Sequence, residues 1–426
     1  MKKIYTDRQL NFFEEQLLLQ VRISEDYKIL DTVLNDKSLV KELAKDLPDA
    51  AVGRNRTSAE RILRMLVLKH QKQLSYRDMA RQLNYDIEDR WFCRIDKAPC
   101  FKTIQNQFAL ISEQTIKNIN DRILAKAREQ KLTNGKRMRL DSTATEMNIH
   151  YPTDASLIKD AIGVIGRLLK KSGIKNLFLK NIKAKLKKPL ALLRTIGRRN
   201  KEVAKEVLSE VAEIGRQAVD KTKHLKDKFI RYYRGLLDKV VRQAMQVSKG
   251  NLKIKNRIVS VFEPTARAIR RGKAGKPTEF GKVVQIQEDE AFVTGWQISG
   301  VMNDEAFLTE ALKKHKQLFQ KAPDETATDR GYWSPENFEL LKRSKVKHIS
   351  LPKKGKLNSK EKLRQCTYHF KKLQRWRAGG EAKISWLKRK FGLRRCLNKG
   401  DEGFVRWVGA GILANNLIVM ARLLNG

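Results

Sequence analysis

Cysteine is scarce in this chain: four in 426 residues, at positions 93, 100, 366 and 396, with no C-x-x-C pair and no accompanying histidine spacing. Neither a zinc module nor a disulfide framework is supported by that pattern, and the four read as reduced thiols. Met1, Lys2 and Lys3 lead into Ile4, Tyr5 and Asp7 without the continuous apolar stretch of a secretory signal, so a cytoplasmic, nucleoid-associated location in a prokaryote is expected. An uninterrupted membrane run is also missing. Phe404 to Leu424 is apolar but broken by Arg406, Asn415, Asn416 and Arg422, which points to a buried core helix and to no membrane partner. Acids are short throughout: 47 Asp and Glu face 90 Lys and Arg, a formal charge of +43. Such a surplus destabilises a compact chain by self-repulsion unless a polyanion neutralises it, so nucleic acid is the leading partner and a membrane surface the weaker alternative.

What is present fits a globular chain of two or three domains, given the length and an apolar content of 41%. From residue 7 to about 136 the periodicity is helical. Thr57 with Glu60, and Ser75 with Asp78, have capping-box spacing ahead of apolar runs. Asn84 to Pro99 reads as a turn, and Phe101 to Ile111 as a short helix carrying Lys102, Thr103, Gln105 and Asn106, side chains suited to base edges. Two short helices around a turn are what a helix-turn-helix uses to enter the major groove, although a plain bundle with a polar outer face has the same pattern.

At residue 137 the pattern turns to alternation, and Arg137 to Thr145 reads as a strand. A helix from about Asp154 to Lys171 follows. Between Ala161 and Lys201 lie thirteen Lys or Arg and no acid, yet apolar residues recur at helical spacing, so a folded basic insert is expected to track phosphates; a solvated helix face is the alternative. Strands are expected at Arg257 to Phe262, Gly281 to Gln287 and Phe292 to Ser299, the last two as a hairpin. Then come a helix (Glu305 to Phe319), a short strand ending at Asp329, a helix opened by Ser334 and Pro335, a strand (Val346 to Leu351) and helices to the end. This is a mixed α/β order that would gather acids from separate segments at one sheet edge.

Two-metal phosphodiester chemistry needs hard oxygen ligands, so isolated acids on strand ends and a facing helix are the ones to find. Asp141 stands in an otherwise uncharged strand segment, where an unpaired carboxylate would carry a desolvation penalty, and Asp329 ends another strand before Arg330 and Gly331 release the chain. From Lys362 to Gly400 Glu381 is the single acid among thirteen Lys and Arg. Arg377 and Lys388 share its helix face, which fits a surface ion pair or, equally in geometry, a metal-holding carboxylate flanked by phosphate-gripping cations. Gly379 and Gly380 each cost a helix about 1 kcal/mol relative to Ala, which is understandable where the backbone must approach a sheet or DNA closely.

These residues resemble the DD(E) transposases of bacterial insertion sequences, over nearly the whole chain. Leu140 to Thr143 and Asn148 to Asp154 look like the region of the first family aspartate, and Thr328 to Tyr332 like that of the second. Ala378 to Glu381, Leu387 to Arg389 and Phe391 to Leu393 are similar to the glutamate helix. Arg377, Glu381 and Lys388 match the last three positions of a Tyr-(2)-Arg-(3)-Glu-(6)-Lys signature, with Gln374 in place of the tyrosine. Gly53, Arg54 and Ser58 to Leu83 resemble the helical DNA-binding domain in front of such enzymes.

The resemblance implies a mixed α/β, ribonuclease-H-like catalytic domain over 137–426, with a basic helical insert at about 154–255. An all-helical DNA-binding domain at 51–136 and a helical segment at 1–50 would precede it. It implies a DNA transposase that cuts transposon ends and transfers the 3′-hydroxyl to target DNA, with Asp141, Asp329 and Glu381 binding two Mg²⁺ ions (Mn²⁺ as substitute) and Arg377, Lys388 and Arg330 on phosphates. Double-stranded DNA is the expected partner and a homo-oligomer the expected state on it. A non-catalytic basic regulatory or architectural DNA-binding protein is the rival reading.

Overall fold

In a computed structural model the described residues are 23–48, 57–174, 177–196, 199–270, 278–300 and 304–425. Residues 7–22 and the segment holding Gly53 and Arg54, for which helix and family likeness were expected, lie outside them. The chain divides into two units, one formed by 1–146 and 283–426 and the other by 147–282.

The first unit begins with seven helices: α1 (Glu25–Leu34), α2 (Lys37–Ala44), α3 (Ala59–Gln71), α4 (Tyr76–Tyr85), α5 (Ile87–Cys93), α6 (Phe101–Leu110) and α7 (Glu113–Glu129). Their starts follow from local chemistry. Asp36, Ser58, Ser75, Asp86 and Ser112 each accept a hydrogen bond from a first-turn backbone N–H that the helix leaves unpaired. Ser75 and Asp78 cap α4 as expected, but α3 is capped by Ser58; Thr57 instead accepts from Gln107 Nε2 at 2.7 Å. The turn expected over Asn84 to Pro99 contains α5, because Asp86 ends one helix and caps the next. Arg64, fully buried, binds Asp31 at 2.7 Å, Glu60 at 3.4 Å and the Phe92 carbonyl at 3.1 Å, tying three helices to one charge.

Strand β1 (Arg137–Met147) leads into the second unit, which holds α8 (Asp154–Lys171), α9 (Leu177–Lys185), α10 (Lys187–Ile196), α11 (Lys201–Thr222), α12 (Lys228–Ser248) and β2 (Arg267–Arg270). The basic stretch is therefore helical. Its apolar residues Leu179, Ile182 and Leu186 join Ile158, Val211 and Val240 in this unit's core. No strand forms at Arg257 to Phe262. Ile258, Val259 and Val261 are buried as expected of a strand, but Gln243 supplies the hydrogen bonds a neighbouring strand would give, donating to the Ile258 carbonyl (3.1 Å) and accepting from its N–H (2.9 Å). The strand comes later, where β2 runs antiparallel to the start of β3 (Thr278–Asp289).

From Val283 onward the first unit resumes with the rest of β3, β4 (Phe292–Ser299), α13 (Asp304–Phe319), β5 (Glu325–Thr328), a 3₁₀ turn (Arg330–Tyr332), α14 (Pro335–Arg343), β6 (His348–Ser350), α15 (Ser359–Cys366), α16 (Tyr368–Lys390), β7 (Arg395–Cys396) and α17 (Gly400–Asn425). Its sheet runs β4-β3-β1-β5-β6, with β7 also against β1. The hairpin β3–β4 is antiparallel, whereas β1–β5 and β5–β6 are parallel, so the fold is mixed α/β. Helix α17 is long and apolar enough to cross a membrane, but it packs on α1, α3 and α7, and the 18-residue window is 72% buried. Its Asn416 donates to Asn120 Oδ1 (2.8 Å) and the Val293 carbonyl (2.7 Å), a use of polar groups that fits a core helix.

Candidate functional site

Parallel pairing of β1 and β5 sets the first part of the site. The register matches Arg139 with Ala327 and Leu140 with Thr328, so the next residue of each strand, Asp141 and Asp329, stands at the same end of the sheet on adjacent chains. The carboxyl ends of parallel strands, where the chain turns away, are where an α/β fold exposes site residues on a rigid base. Asp141 is nearly buried and accepts from the Ser142 N–H (2.8 Å); Asp329 caps the 3₁₀ turn through the Gly331 N–H at 2.7 Å.

Helix α16 brings the third acid to this edge. Gln374 fixes the helix there, its Nε2 lying 3.1 Å from the Thr328 carbonyl, 3.3 Å from the Ser350 carbonyl and 2.9 Å from Ser350 Oγ. The residue at the signature's tyrosine position is thus a fastener between α16 and the ends of β5 and β6. One helical turn on, Arg377 points one guanidinium nitrogen at Asp141 Oδ2 (3.7 Å) and another at Glu381 Oε1 (3.8 Å). These are ion-pair distances, longer than hydrogen bonds. The side chain of Glu381 is 73% exposed, that of Asp141 only 12%, so a single cation joins a buried and an open carboxylate.

Gly379 and Gly380 allow this approach. A Cβ on Gly379 would lie 3.3 Å from Arg139 Nη1, and one on Gly380 3.3 Å from Arg139 Nε, closer than side chains ordinarily pack. The helix therefore closes on the sheet through the Arg139 side chain. Arg139 shares the Asp141 face of β1, two residues earlier, and binds Glu288 of β3 through Nε (3.1 Å) and Nη2 (2.5 Å), the Trp376 carbonyl through Nη1 (3.0 Å) and the Trp376 ring face (5.1 Å). Burial pushes the Glu288 carboxyl above its usual range; Arg139 and Lys383 oppose that shift and Asp141 adds to it. Burial likewise lowers the Lys383 ammonium, which donates to the Ala291 carbonyl at 2.8 Å.

Among the residues expected at the site, then, Asp141, Arg377 and Glu381 meet through ion pairs, and Asp329 lies one strand away. Arg330 is exposed in the turn after Asp329, and Lys388 is half-buried two turns beyond Glu381. Lys102, Gln105 and Asn106 are exposed and Thr103 half-buried on a different surface, helix α6, which packs on α3 and α4. The buried Arg139–Glu288 pair and the Gln374 fastener were not anticipated from sequence. A signal existed only for Arg139, a charge two residues before Asp141 on the same strand face.

Among the described residues no three Asp, Glu, His or Cys side chains already form a metal cage. The donors at the edge nonetheless suit a hard divalent ion in chemistry: three carboxylates, no sulfur, and no described His in contact with them. The cation now between two of them is Arg377, whose Nε is buried without a hydrogen-bond partner among the described residues.

No curated protein and no solved structure matches the chain. A family model does: residues 17–109, which include all of α1 to α6, match the one described as Transposase domain (DUF772), and this supports a transposase role for the chain.

Proposed function

We propose that the protein is a Mg²⁺-dependent DNA transposase whose first unit carries a ribonuclease-H-like catalytic fold, with Asp141, Asp329 and Glu381 as the metal-holding acids. The single observation that carries the reading is the meeting of Asp141 and Glu381 through Arg377 beside the strand end that bears Asp329. Supporting it are the hairpin followed by two parallel strands, and the transposase domain at 17–109. Bound Mg²⁺ would supply Lewis-acid activation of the attacking oxygen and charge stabilisation of the leaving one.

The chain's own residues do the rest. Asp141 and Asp329 are held by short backbone hydrogen bonds at fixed strand ends, so their oxygens need little reorganisation. Glu381, on a helix fastened by Gln374, can close over the edge. Arg377, Lys388 and Arg330 place cationic groups for the phosphates on either side of the scissile bond. In this reading 51–136 reads DNA through α6 (Lys102, Thr103, Gln105 and Asn106), and two copies act together on paired ends.

The test is incubation of purified protein with DNA carrying the ends that flank its reading frame, with and without Mg²⁺. The reading predicts Mg²⁺-dependent nicks and joined products for the wild type, and retained binding without cleavage for Asp141→Asn. Binding indifferent to Mg²⁺, with no cleavage by either protein, would favour a non-catalytic DNA-binding protein.

A further inference from the structure

The second unit carries cations in two different states. On α11 and α12 they are neutralised within their own helices: Lys205 pairs with Glu202 at 2.7 Å, Lys223 with Asp220 at 2.7 Å, and Arg242 with Asp238. On α9 and α10, by contrast, Lys180, Lys185, Lys187, Lys188 and Arg194 are exposed and in no ion pair among the described residues. Burial of Leu179, Ile182 and Leu186 in the core pins these helices, so the charged side cannot rotate inward.

At one point this face has a defined notch. Gly163 of α8 leaves a gap the size of a methyl group, and a Cβ built there would be 3.6 Å from Lys183 Nζ and 3.9 Å from Arg167 Nη1. Two cations from different helices overhang the same gap. Asp160, one turn earlier, is half-buried and takes His150 Nε2 at 3.3 Å; burial raises its carboxyl, while His150, Lys159, Arg167 and Lys183 lower it. One acid therefore faces four basic groups, which leaves the notch positive.

We infer that the α8–α9–α10 face docks a DNA duplex by its backbone, with one phosphate seated over Gly163 between Arg167 and Lys183. A phosphate group accepts from both cations at once, and a helical pair of regularly exposed lysines suits a repeating polyanion. A lipid surface fits less well, because the apolar sides of α9 and α10 are already committed to the core and cannot insert. The inference rests on the reading of the chain as a DNA-handling protein, and not on its catalysis.

The experiment is binding of the full chain to a duplex of unrelated sequence, without divalent ions, as a function of salt. Each phosphate contact adds about 0.9 to the magnitude of the slope of log K against log salt. Arg167→Ala/Lys183→Ala should lower that magnitude by about 1.8, so that a fourfold rise in salt weakens binding about 10-fold less than in wild type. Gly163→Val, which keeps both charges but fills the gap, should lower it by about 0.9. Lys205→Gln/Lys223→Gln, removing paired lysines, should change it much less. Equal slopes in wild type and both notch variants, an equal fall in the paired-lysine control, or tighter binding to anionic vesicles than to duplex would each overturn the inference. A wild type that binds no duplex at all would sink the transposase reading with it.

Discussion

Arg377 lies 3.7 Å from Asp141 and, through its other nitrogen, 3.8 Å from Glu381, so one guanidinium spans a strand acid and a helix acid that are 240 residues apart in the chain. This makes Arg377 the gauge of the site's geometry. It holds the two carboxylates near each other and is itself placed to move onto a phosphate.

Arg377→Ala should therefore reduce Mg²⁺-dependent cleavage by about 100-fold, the scale of losing one preorganised charged contact to a transition state. Arg377→Lys should be intermediate, because an ammonium keeps the charge but cannot span both acids. Initial rates at saturating DNA check this. Equal rates for all three proteins would show that the guanidinium plays no part in the chemistry.

The Arg139–Glu288 pair supports a second prediction. Both side chains are buried, at 8% and 1% exposed, so deleting one partner strands the other in a low-dielectric site. Arg139→Met and Glu288→Leu should each destabilise the fold by about 3 kcal/mol, and the double variant by clearly less than the sum. Urea denaturation of the four proteins gives the coupling; strict additivity would mean that the pair contributes only through its two separate contacts.

Lys69 supplies the third. Buried at 2% exposure on α3, it sits 4.1 Å from the Trp407 ring and 5.0 Å from that of Tyr76, and burial pushes its ammonium down to about 7. An unfolded lysine titrates near about 10.4, so between those values the unfolded chain holds a proton that the folded chain has released. Folding stability should then rise with pH across that window and level off at its lower value below about 7. Lys69→Met should flatten the rise and stabilise the protein most near neutral pH. Denaturation midpoints at several pH values between neutral and alkaline read the slope; an unchanged slope in the variant would assign it to other groups.

How much of this was visible in the chain depends on the distance over which each feature is decided. Helix starts at Ser75 and Ser334, the β3–β4 hairpin and the isolation of Asp141, Asp329 and Glu381 are matters of a few neighbouring residues, and they stand in the structure where local chemistry put them. The cap of α3 went to Ser58 because Thr57 and Ser58 are both competent, and a contact with Gln107 settles the choice. The buried run at 258–261 looked like a strand because apolar β-branched residues suit one, and only the distant Gln243 amide shows otherwise. Gln374 looked like a missing tyrosine until β5 and β6 were beside it. Arg139 and Glu288, 149 residues apart, could be joined only by the order of strands.

The central claim is that Asp141, Asp329 and Glu381 hold divalent ions at one sheet edge, and direct titration of Mn²⁺ binding tests it without requiring DNA or turnover. Paramagnetic resonance of free Mn²⁺ should show uptake by the wild-type protein, with loss of uptake in Asp141→Asn and in Asp329→Asn and weaker uptake in Glu381→Gln, whose side chain is the most open of the three. No uptake by the wild type, or uptake that all three variants retain in full, would contradict the account.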